Sequence, residues 1–229
     1  ESMAIGRTFK ESFQKALRSL EIDRAGFGSD GNLKLSSYLT SLSEQERDIV
    51  FEREFTTPGA DRVFYIKEAL KYGKSVDWIC GLSGIDPWFI SQLKELADEE
   101  ESFRSGYREN GINAEMIKRM KNLGFSDRQL GFIIHEDMLT ELYSGGPLFQ
   151  KKYSMNLRNA EKEIRDFRMK NGIIPGFRVV DTCGGEFEAY TPYYYSSYDT
   201  DNESVRTDRK KIMILGGGPN RIGQGIEFD

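Results

Sequence analysis

The feature that most constrains the fold is a series of helix start signals, each followed by apolar residues at helical spacing. Asp86-Pro87 places a capping carboxylate before a proline at the first helical position, and apolar residues then recur three and four positions apart. Thr57-Pro58 repeats this arrangement with a hydroxyl. Further capping residues are Thr8 with Glu11, Asn113, and Ser126 with Gln129. So many capped, periodic segments predict a mainly α fold.

The predicted helices occupy most of the chain from Thr8 to Gly172. The first helix follows Thr8 and has about four turns. The second spans Ser37 to Phe55, and the third runs from Thr57 to near Gly73. Three more helices begin after Asp86, Asn113 and Ser126. The last helix carries Leu157, Ala160, Ile164 and Phe167 at helical spacing and stops at Gly172. We therefore expect a multi-helix domain whose apolar faces share one core.

The sequence changes character after Pro175. Val179-Val180 and the tyrosines between Tyr190 and Tyr198 favour strands or extended chain, which we expect to pack against the helices. A polar linker follows over residues 199–209.

Residues 211–215 then predict a short buried strand that leads into a glycine loop, Gly216 to Gly225. A strand followed by such a loop is typical of the start of an α/β unit. A parallel sheet, however, needs a crossover helix and a second strand, and neither follows. We therefore expect the first strand of a truncated α/β domain at this end.

Composition excludes several function classes. The chain has 38% hydrophobic and 30% charged residues, and no apolar run approaches the ~20 residues that span a bilayer. The net charge of -5 provides no overall electrostatic footprint for nucleic acid. Two cysteines in 229 residues argue against a disulfide scaffold and favour a reducing compartment. We predict a cytoplasmic protein that contacts neither membrane nor nucleic acid.

The residues that usually carry catalysis or bind metals are sparse. His135 is the only histidine and stands at a predicted helix end, where a cation complements the helix dipole. Cys183 has no histidine nearby in sequence, so a packed thiol is favoured over a nucleophile. Asp98 to Glu101 is interpreted as a solvated helix end. We predict no catalytic residue and no metal site in this chain.

The glycine loop comes close to two phosphate-binding motifs without matching either. Arg221 stands where a dinucleotide fingerprint has its third glycine, and Gln224-Gly225 replaces the Lys-Ser/Thr of a P-loop. We therefore predict no cofactor-binding residue here. The loop is interpreted as a turn that lets backbone approach a ligand or an adjoining domain.

A second hypothesis is an independent binding module. Met116 to Ile134 contains two short helices joined by a tight turn, the outline of a helix-turn-helix that could recognise nucleic acid or protein. Its local charge of about +2 is weak support for phosphate contacts. A helical pair packed into a bundle is the favoured interpretation. A standalone enzyme is a third class, disfavoured because acid, base and metal sets are missing.

Several segments resemble the large subunit of carbamoyl phosphate synthetase. Residues 3–8 and 11–18 are similar to the end of its first ATP-grasp half, and residues 214–229 are similar to the opening of its second half. The segments that resemble its helical middle part, in the same order, are 60–62, 85–89, 123–127 and 180–187. The stretch from Glu136 to Asn156 departs from the family by being longer.

The resemblance implies a bridging role within a larger enzyme. Such a ligase makes carbamoyl phosphate from bicarbonate, glutamine-derived ammonia and two ATP, for arginine and pyrimidine synthesis. Its ATP and its magnesium or manganese bind in the ATP-grasp lobes. The middle part is the oligomerisation domain, so the implied partners are other large subunits and, in the parent complex, the small glutaminase subunit. This chain alone is expected to be inactive and to bind no cofactor.

The same resemblance suggests boundaries and one pair of site residues. Residues 1–21 correspond to the tail of the first ATP-grasp half, 22–175 to the oligomerisation domain, 176–210 to an extended linker, and 211–229 to the start of the second half. Gly225 and Glu227 fall where relatives line an internal tunnel or domain junction.

Overall fold

The computed structural model describes residues 2–145, 149–191, 193–199 and 201–214. Within them lie ten α-helices and one pair of short strands, which confirms the mainly α prediction. The helices are α1 (Phe9–Ser19), α2 (Lys34–Thr40), α3 (Glu44–Thr56), α4 (Arg62–Lys71), α5 (Val76–Ser83), α6 (Pro87–Asn110), α7 (Ala114–Asn122), α8 (Asp127–Ile134), α9 (Glu136–Ser144) and α10 (Gln150–Lys170). The strands are β1 (Gly176–Val179) and β2 (Tyr194–Ser197).

Most of the predicted helix starts are confirmed by direct capping hydrogen bonds. The Asp86 carboxylate accepts from the backbone N–H of Trp88 at 2.8 Å, at the start of the longest helix. Asn113 caps α7, and Ser126 with Gln129 forms a full capping box on α8. These signals succeed because a cap satisfies backbone donors only a few residues away.

Two predicted helices differ from the structure. The helix expected over Ser37 to Phe55 is divided into α2 and α3, because Ser43 and Glu46 form a capping box that starts a new helix. Thr57-Pro58 does not start a helix. The Thr57 N–H donates to the Arg53 carbonyl and closes α3, and α4 begins only after Asp61. Helix α5 was not predicted, although Ser75 caps it.

One main core joins the helices. Its buried members include Leu17, Leu39, Phe51, Phe55, Ile79, Ile90, Leu96, Ile117, Leu130 and Ile164. A smaller cluster of Phe132, Leu139 and Leu157 lies between α8, α9 and α10. Helix α9 therefore fills much of the stretch from Glu136 to Asn156 that the sequence suggested as a long link. Its buried Leu139 ties that stretch to the bundle.

The C-terminal part of the described chain is extended, as predicted after Pro175. Strands β1 and β2 pair antiparallel, with Gly176 opposite Ser197 and Val179 opposite Tyr194. Residues 211–214 form no strand, and Ile212 and Ile214 are exposed. The predicted buried strand is therefore wrong for these four residues, because a strand needs a neighbour to pair with and none lies beside them in the described ranges. Its last residue and the glycine loop lie outside the described residues.

Helices α8 and α10 approach closely at a glycine. A Cβ built on Gly131 would lie 2.5 Å from the backbone carbonyl carbon of Ala160 and 2.6 Å from its oxygen. Real Cβ atoms do not approach backbone this closely, so the two helices pack at this distance only because position 131 carries no side chain.

We expect Gly131→Ala to lower the free energy of unfolding by about 1–3 kcal/mol, since the new methyl group must push α10 away. The control is Gly81→Ala in α5, where the added methyl meets nothing within 4 Å. That change should stabilise the chain by about 0.5–1 kcal/mol through helix propensity. Urea denaturation of both variants measures the difference, and equal effects would contradict close packing at Gly131.

Candidate functional site

Helix α1 holds the N-terminal segment and strand β2 together through one lysine. The ammonium of Lys15 donates to the backbone carbonyl of Ile5 at 3.0 Å and to that of Ser196 in β2, and lies 2.8 Å from the Glu11 carboxylate. Ile5 and Ser196 are therefore bridged by one side chain although they are far apart in sequence.

Glu11, one turn before Lys15 on α1, also joins the N-terminal segment to β2. Glu11 is buried, and its carboxylate accepts from the backbone N–H of Arg7 at 2.7 Å and from the hydroxyl of Ser197 at 3.3 Å. The predicted capping box at Thr8 is thus only half formed. The Thr8 hydroxyl accepts from the Glu11 N–H, but the Glu11 carboxylate bonds outside the helix. We call Glu11 and Lys15 the terminal clamp.

Further ion pairs and rings extend the contact around the terminal clamp. Asp199 lies 3.3 Å from Arg7 and 2.7 Å from Arg178, so a carboxylate after β2 bridges the N-terminal segment and β1. The Tyr198 ring lies 5.0 Å from the Lys121 ammonium and 5.7 Å from the Arg168 guanidinium. The prediction that the tyrosine segment packs against the helices is confirmed at Tyr198.

A second cluster of charges lies inside the bundle. Both Glu100 of α6 and Lys67 of α4 have side chains only 2% exposed, and they form an ion pair. Glu100 also accepts from Arg104 at 3.1 Å and from the Ser29 hydroxyl at 2.5 Å. Arg104 in turn contacts Glu136 at 2.8 Å. We call this set the buried ion network.

The buried ion network corrects an interpretation of the sequence. Asp98 to Glu101 is not a solvated helix end but lies within α6, and Glu100 points into the core. A signal was present in the sequence. Glu100 continues the inward spacing of Leu93, Leu96 and Phe103, so a carboxylate occupies an apolar position and requires a buried cation.

Electrostatics in the network favour the charged forms. Burial alone would raise the pKa of Glu100, but Lys67 and Arg104 beside the carboxylate lower its pKa to about 2. Burial opposes the charge on Arg104 as well, yet Glu100 and Glu136 raise its pKa above the ordinary value. Glu100 and Arg104 are therefore both charged near neutral pH.

The residues singled out for chemistry do not assemble into an active site in the described structure. His135 lies between α8 and α9, with its Nε2 2.7 Å from a Glu163 oxygen. Cys183 is a half-buried free thiol. Over residues 2–145, 149–191, 193–199 and 201–214, no group of His, Cys, Asp or Glu side chains could hold a metal ion. Gly225 and Glu227 lie outside the described residues and remain predictions.

The helix-turn-helix interpretation of Met116 to Ile134 is wrong. A recognition helix must present its side chains to a groove. Residues 129–134 of α8 are all buried, and α8 packs along α10. Helix α7 also faces inward, through Ile117, Met120 and Lys121. The favoured packed pair is therefore what the structure contains.

Among the solvent-facing apolar side chains of the described helices, two groups stand out. Phe9, Trp88 and Phe89 form an aromatic patch whose ring centroids lie 5.0–5.6 Å apart in edge-on contacts. The second surface is a stripe along α3 that we call the α3 stripe: Gln45, Ile49, Glu52, Arg53 and Thr56, all exposed. Ile49 is 66% exposed in this stripe.

The α3 stripe combines features of a contact between identical chains. Its only apolar member, Ile49, is β-branched and gains nothing from helix propensity at an exposed position. Glu52 and Arg53 next to it carry opposite charges and are exposed, so two copies related by a two-fold axis can bring them together across the contact, where Arg53 would share its present pairing with Glu54 at 2.7 Å. The rings of the aromatic patch, by contrast, already contact one another.

Comparison with known families identifies one match. Residues 1–142 match the family described as "Carbamoyl-phosphate synthetase large chain, oligomerisation domain". The matched range runs from before α1 into α9 and includes the α3 stripe, the buried ion network and the clamp residues Glu11 and Lys15.

Curated relatives cover the full chain. A carbamoyl phosphate synthase large chain of Archaeoglobus fulgidus is 44% identical over 232 residues, which is 100% of this chain and 18% of that protein. The large chain of Nostoc sp. is 43% identical over 229 residues, with coverage of 100% and 18%. An arginine-specific, chloroplastic large chain of Arabidopsis thaliana is 43% identical, with coverage of 100% and 16%. The chain thus spans less than a fifth of the length of these relatives.

None of the described helices has both the length and the apolar character required to cross a bilayer.

The terminal clamp predicts that residues 2–8 and residues 194–199 become more mobile together when it is removed. We expect Lys15→Gln to speed amide hydrogen exchange about tenfold or more in residues 2–8 and also in residues 194–199, because one ammonium holds both. Lys10→Gln is the matched control: Lys10 lies on the same helix, its side chain is equally covered, and it pairs with Glu95 of α6 instead. Faster exchange in only one of the two segments would contradict a shared clamp.

The buried ion network predicts a specific loss of stability. We expect Glu100→Gln to reduce the free energy of unfolding by about 3–5 kcal/mol, because Lys67 and Arg104 lose their buried counter-charge. Glu101→Gln is the control, since Glu101 also pairs with Arg104 but is 63% exposed, and it should cost less than about 1 kcal/mol.

The same network predicts an acid dependence. Because the folded pKa of Glu100 is below its unfolded value, its contribution is complete above the unfolded pKa and is lost as pH falls toward about 2. Denaturant titrations between pH 5 and pH 2 should therefore show a steeper decline in the unaltered chain than in Glu100→Gln. Parallel declines would show that Glu100 does not carry this dependence.

Proposed function

Since this chain belongs to the carbamoyl-phosphate synthetase large-chain family, within its oligomerisation domain, we propose that it joins copies of such a large chain and bridges the parts on either side of it. The parent enzyme in this proposal is an ATP-dependent, glutamine-hydrolysing ligase that makes carbamoyl phosphate from bicarbonate, ammonia and two ATP. The relatives are large chains of that synthase, one of them arginine-specific. This segment contributes assembly and not catalysis.

The exposed α3 stripe carries the proposal of self-association. Ile49 offers an aliphatic centre that the fold of a single chain leaves in water, and burying it against a second copy removes apolar surface from solvent. Glu52 and Arg53 supply the polar rim on either side of that centre. We assign the contact to this stripe and not to the aromatic patch.

The terminal clamp supports the bridging part of the proposal. A segment that joins two larger parts transmits their relative position better when its N-terminal stretch is fixed to its C-terminal linker. Glu11 and Lys15 provide such a fixture, because each bonds the N-terminal segment and β2. In this proposal the boundaries stay at residues 1–21, 22–175, 176–210 and 211–229.

Most of the remaining features of the parent enzyme belong to regions other than this segment. We propose that ATP with magnesium or manganese binds elsewhere in the large chain, and that the small glutaminase subunit is a partner of the complete complex. Gly225 and Glu227 are proposed to lie at the tunnel or domain junction. A cytoplasmic location, without membrane or nucleic acid as a partner, completes the proposal.

Sedimentation velocity over a wide concentration range tests the proposal. We expect the 229-residue chain to form a reversible dimer or larger species, and Ile49→Glu to weaken association by about tenfold or more, because a carboxylate is buried at the contact. Val205→Glu is the control, since Val205 is an equally simple aliphatic that is 83% exposed in the linker. A chain that is monomeric at every concentration would contradict self-association by this segment.

A further variant separates the function from the choice of surface. Trp88→Glu places the same charge in the aromatic patch. If Trp88→Glu dissociates the complex and Ile49→Glu does not, the chain self-associates but the assignment to the α3 stripe is wrong.

A further inference from the structure

A small cavity lies beside the terminal clamp, between α1, the turn from α7 to α8, and β2. Its volume is about 250 Å³. The cations that line it are Lys15, Arg18 and Lys121, and the carboxylates are Glu11, Asp127 and Glu161. Tyr198 and Ser196 of the extended segment border it on the remaining side. A cavity this small can hold an ion or a few waters but not a nucleotide.

The two inner carboxylates are already fully engaged. Glu11 lies 2.8 Å from Lys15 and also accepts from the Arg7 N–H and the Ser197 hydroxyl. Asp127 accepts from Lys121 at 2.8 Å and from Arg168 at 2.7 Å, so one carboxylate serves two cations. Neither of them has spare charge for a third cation.

Arg18 is that third cation. Its Nη1 donates to the carbonyl oxygen of Gly124 at 2.7 Å and more weakly to that of Ala25 at 3.5 Å. No carboxylate pairs with Arg18 anywhere in the described ranges. Its other guanidinium nitrogens donate to no acceptor in those ranges either. Carbonyl oxygens orient the guanidinium but do not neutralise it, so Arg18 stays without a carboxylate partner, and the only unengaged carboxylate of the lining is Glu161 at the exposed edge.

Burial disfavours the charge on two of these cations. Burial lowers the pKa of Arg18 despite nearby acidic groups. Burial likewise lowers the pKa of Lys121 to about 8, and the charges of Arg18 and Arg168 contribute in the same direction. Cations held under such repulsion gain most from a compact counter-ion.

We propose that this cavity is a binding site for one small oxyanion of the phosphate class, held by the free guanidinium donors of Arg18 between Lys15 and Lys121. A guanidinium presents parallel N–H groups whose spacing fits two oxygens of a tetrahedral oxyanion, and the two ammonium groups add point charges on either side. A bound oxyanion connects α1 to the turn between α7 and α8. It thereby strengthens the platform on which β2 lies.

Glu161 opposes the proposed ligand and supplies a gain-of-affinity test. It is exposed on α10 at the edge of the cavity, and in the described structure no cation pairs with it. Its charge repels an incoming anion. Removing the charge should therefore tighten binding without disturbing any hydrogen bond of the fold.

The test is isothermal titration calorimetry of the 229-residue chain with sodium phosphate, at fixed pH and at a constant ionic strength of about 0.15 M maintained with sodium chloride. We expect saturable binding with one site per chain.

Arg18→Gln should weaken phosphate binding about tenfold or more, because the forked donors are lost. Glu161→Gln should tighten it about threefold. Arg158→Gln is the control, an exposed arginine on α10 outside the cavity, and should leave the affinity unchanged.

Sulfate as a second titrant distinguishes general oxyanion binding from selection of phosphate, and saturable binding of either supports the proposal. Arg18→Lys keeps the charge but removes the fork and should lie between the unaltered chain and Arg18→Gln. It serves as the decisive variant if Arg18→Gln fails to fold. Absence of saturable heat with both titrants would overturn the proposal. Equal weakening by Arg158→Gln, or no gain from Glu161→Gln, would do so as well.

Discussion

The buried ion pair between Lys67 and Glu100 is the interaction on which the rest of the helical bundle depends. Through Glu100 it connects α4, α6 and the loop that carries Ser29, and through Arg104 it reaches Glu136 at the start of α9. Buried charges of this kind stabilise weakly compared with apolar packing, but they tolerate few alternative arrangements. Each partner has to be in place for the others to be buried, so the network fixes which helices are neighbours.

The helices were predictable where their signals are local. Asp86, Asn113 and Ser126 each accept a hydrogen bond from a backbone N–H within three residues. Because these residue types are the usual N-caps, the residue type alone predicts this capping bond. Thr57-Pro58 misled for the same reason, because the proline suggests a start while the Thr57 N–H closes the preceding helix. The sequence marked a helix boundary at Thr57 correctly, but this boundary is the end of α3 and not the start of α4.

The candidate sites were not predictable from patterns of neighbouring residues. The Lys15 ammonium and its acceptor at Ser196 are 181 residues apart, and no spacing rule connects them. The sequence does indicate part of the network around Glu100, because a carboxylate occupies an apolar position of α6. Its partner on α4, Lys67, could be identified only from the fold. The resemblance to a family located the segment in a larger enzyme. Which side chains are buried together still depended on three-dimensional packing.

The proposed self-association and the proposed bridging use different helices, so one does not interfere with the other. Helix α1, with the terminal clamp, packs on α6, whereas α3 packs on α4 and α5. Association through Ile49 therefore leaves Glu11 and Lys15 free to hold the N-terminal segment against β2. Between these helices lies the buried ion network, which joins α4 to α6. A displacement at α3 can reach α1 through α4 or α5 and then α6, across both the ion network and the shared apolar core. Because ionic partners have few alternative positions, the pair between Lys67 and Glu100 limits how far α4 can move relative to α6.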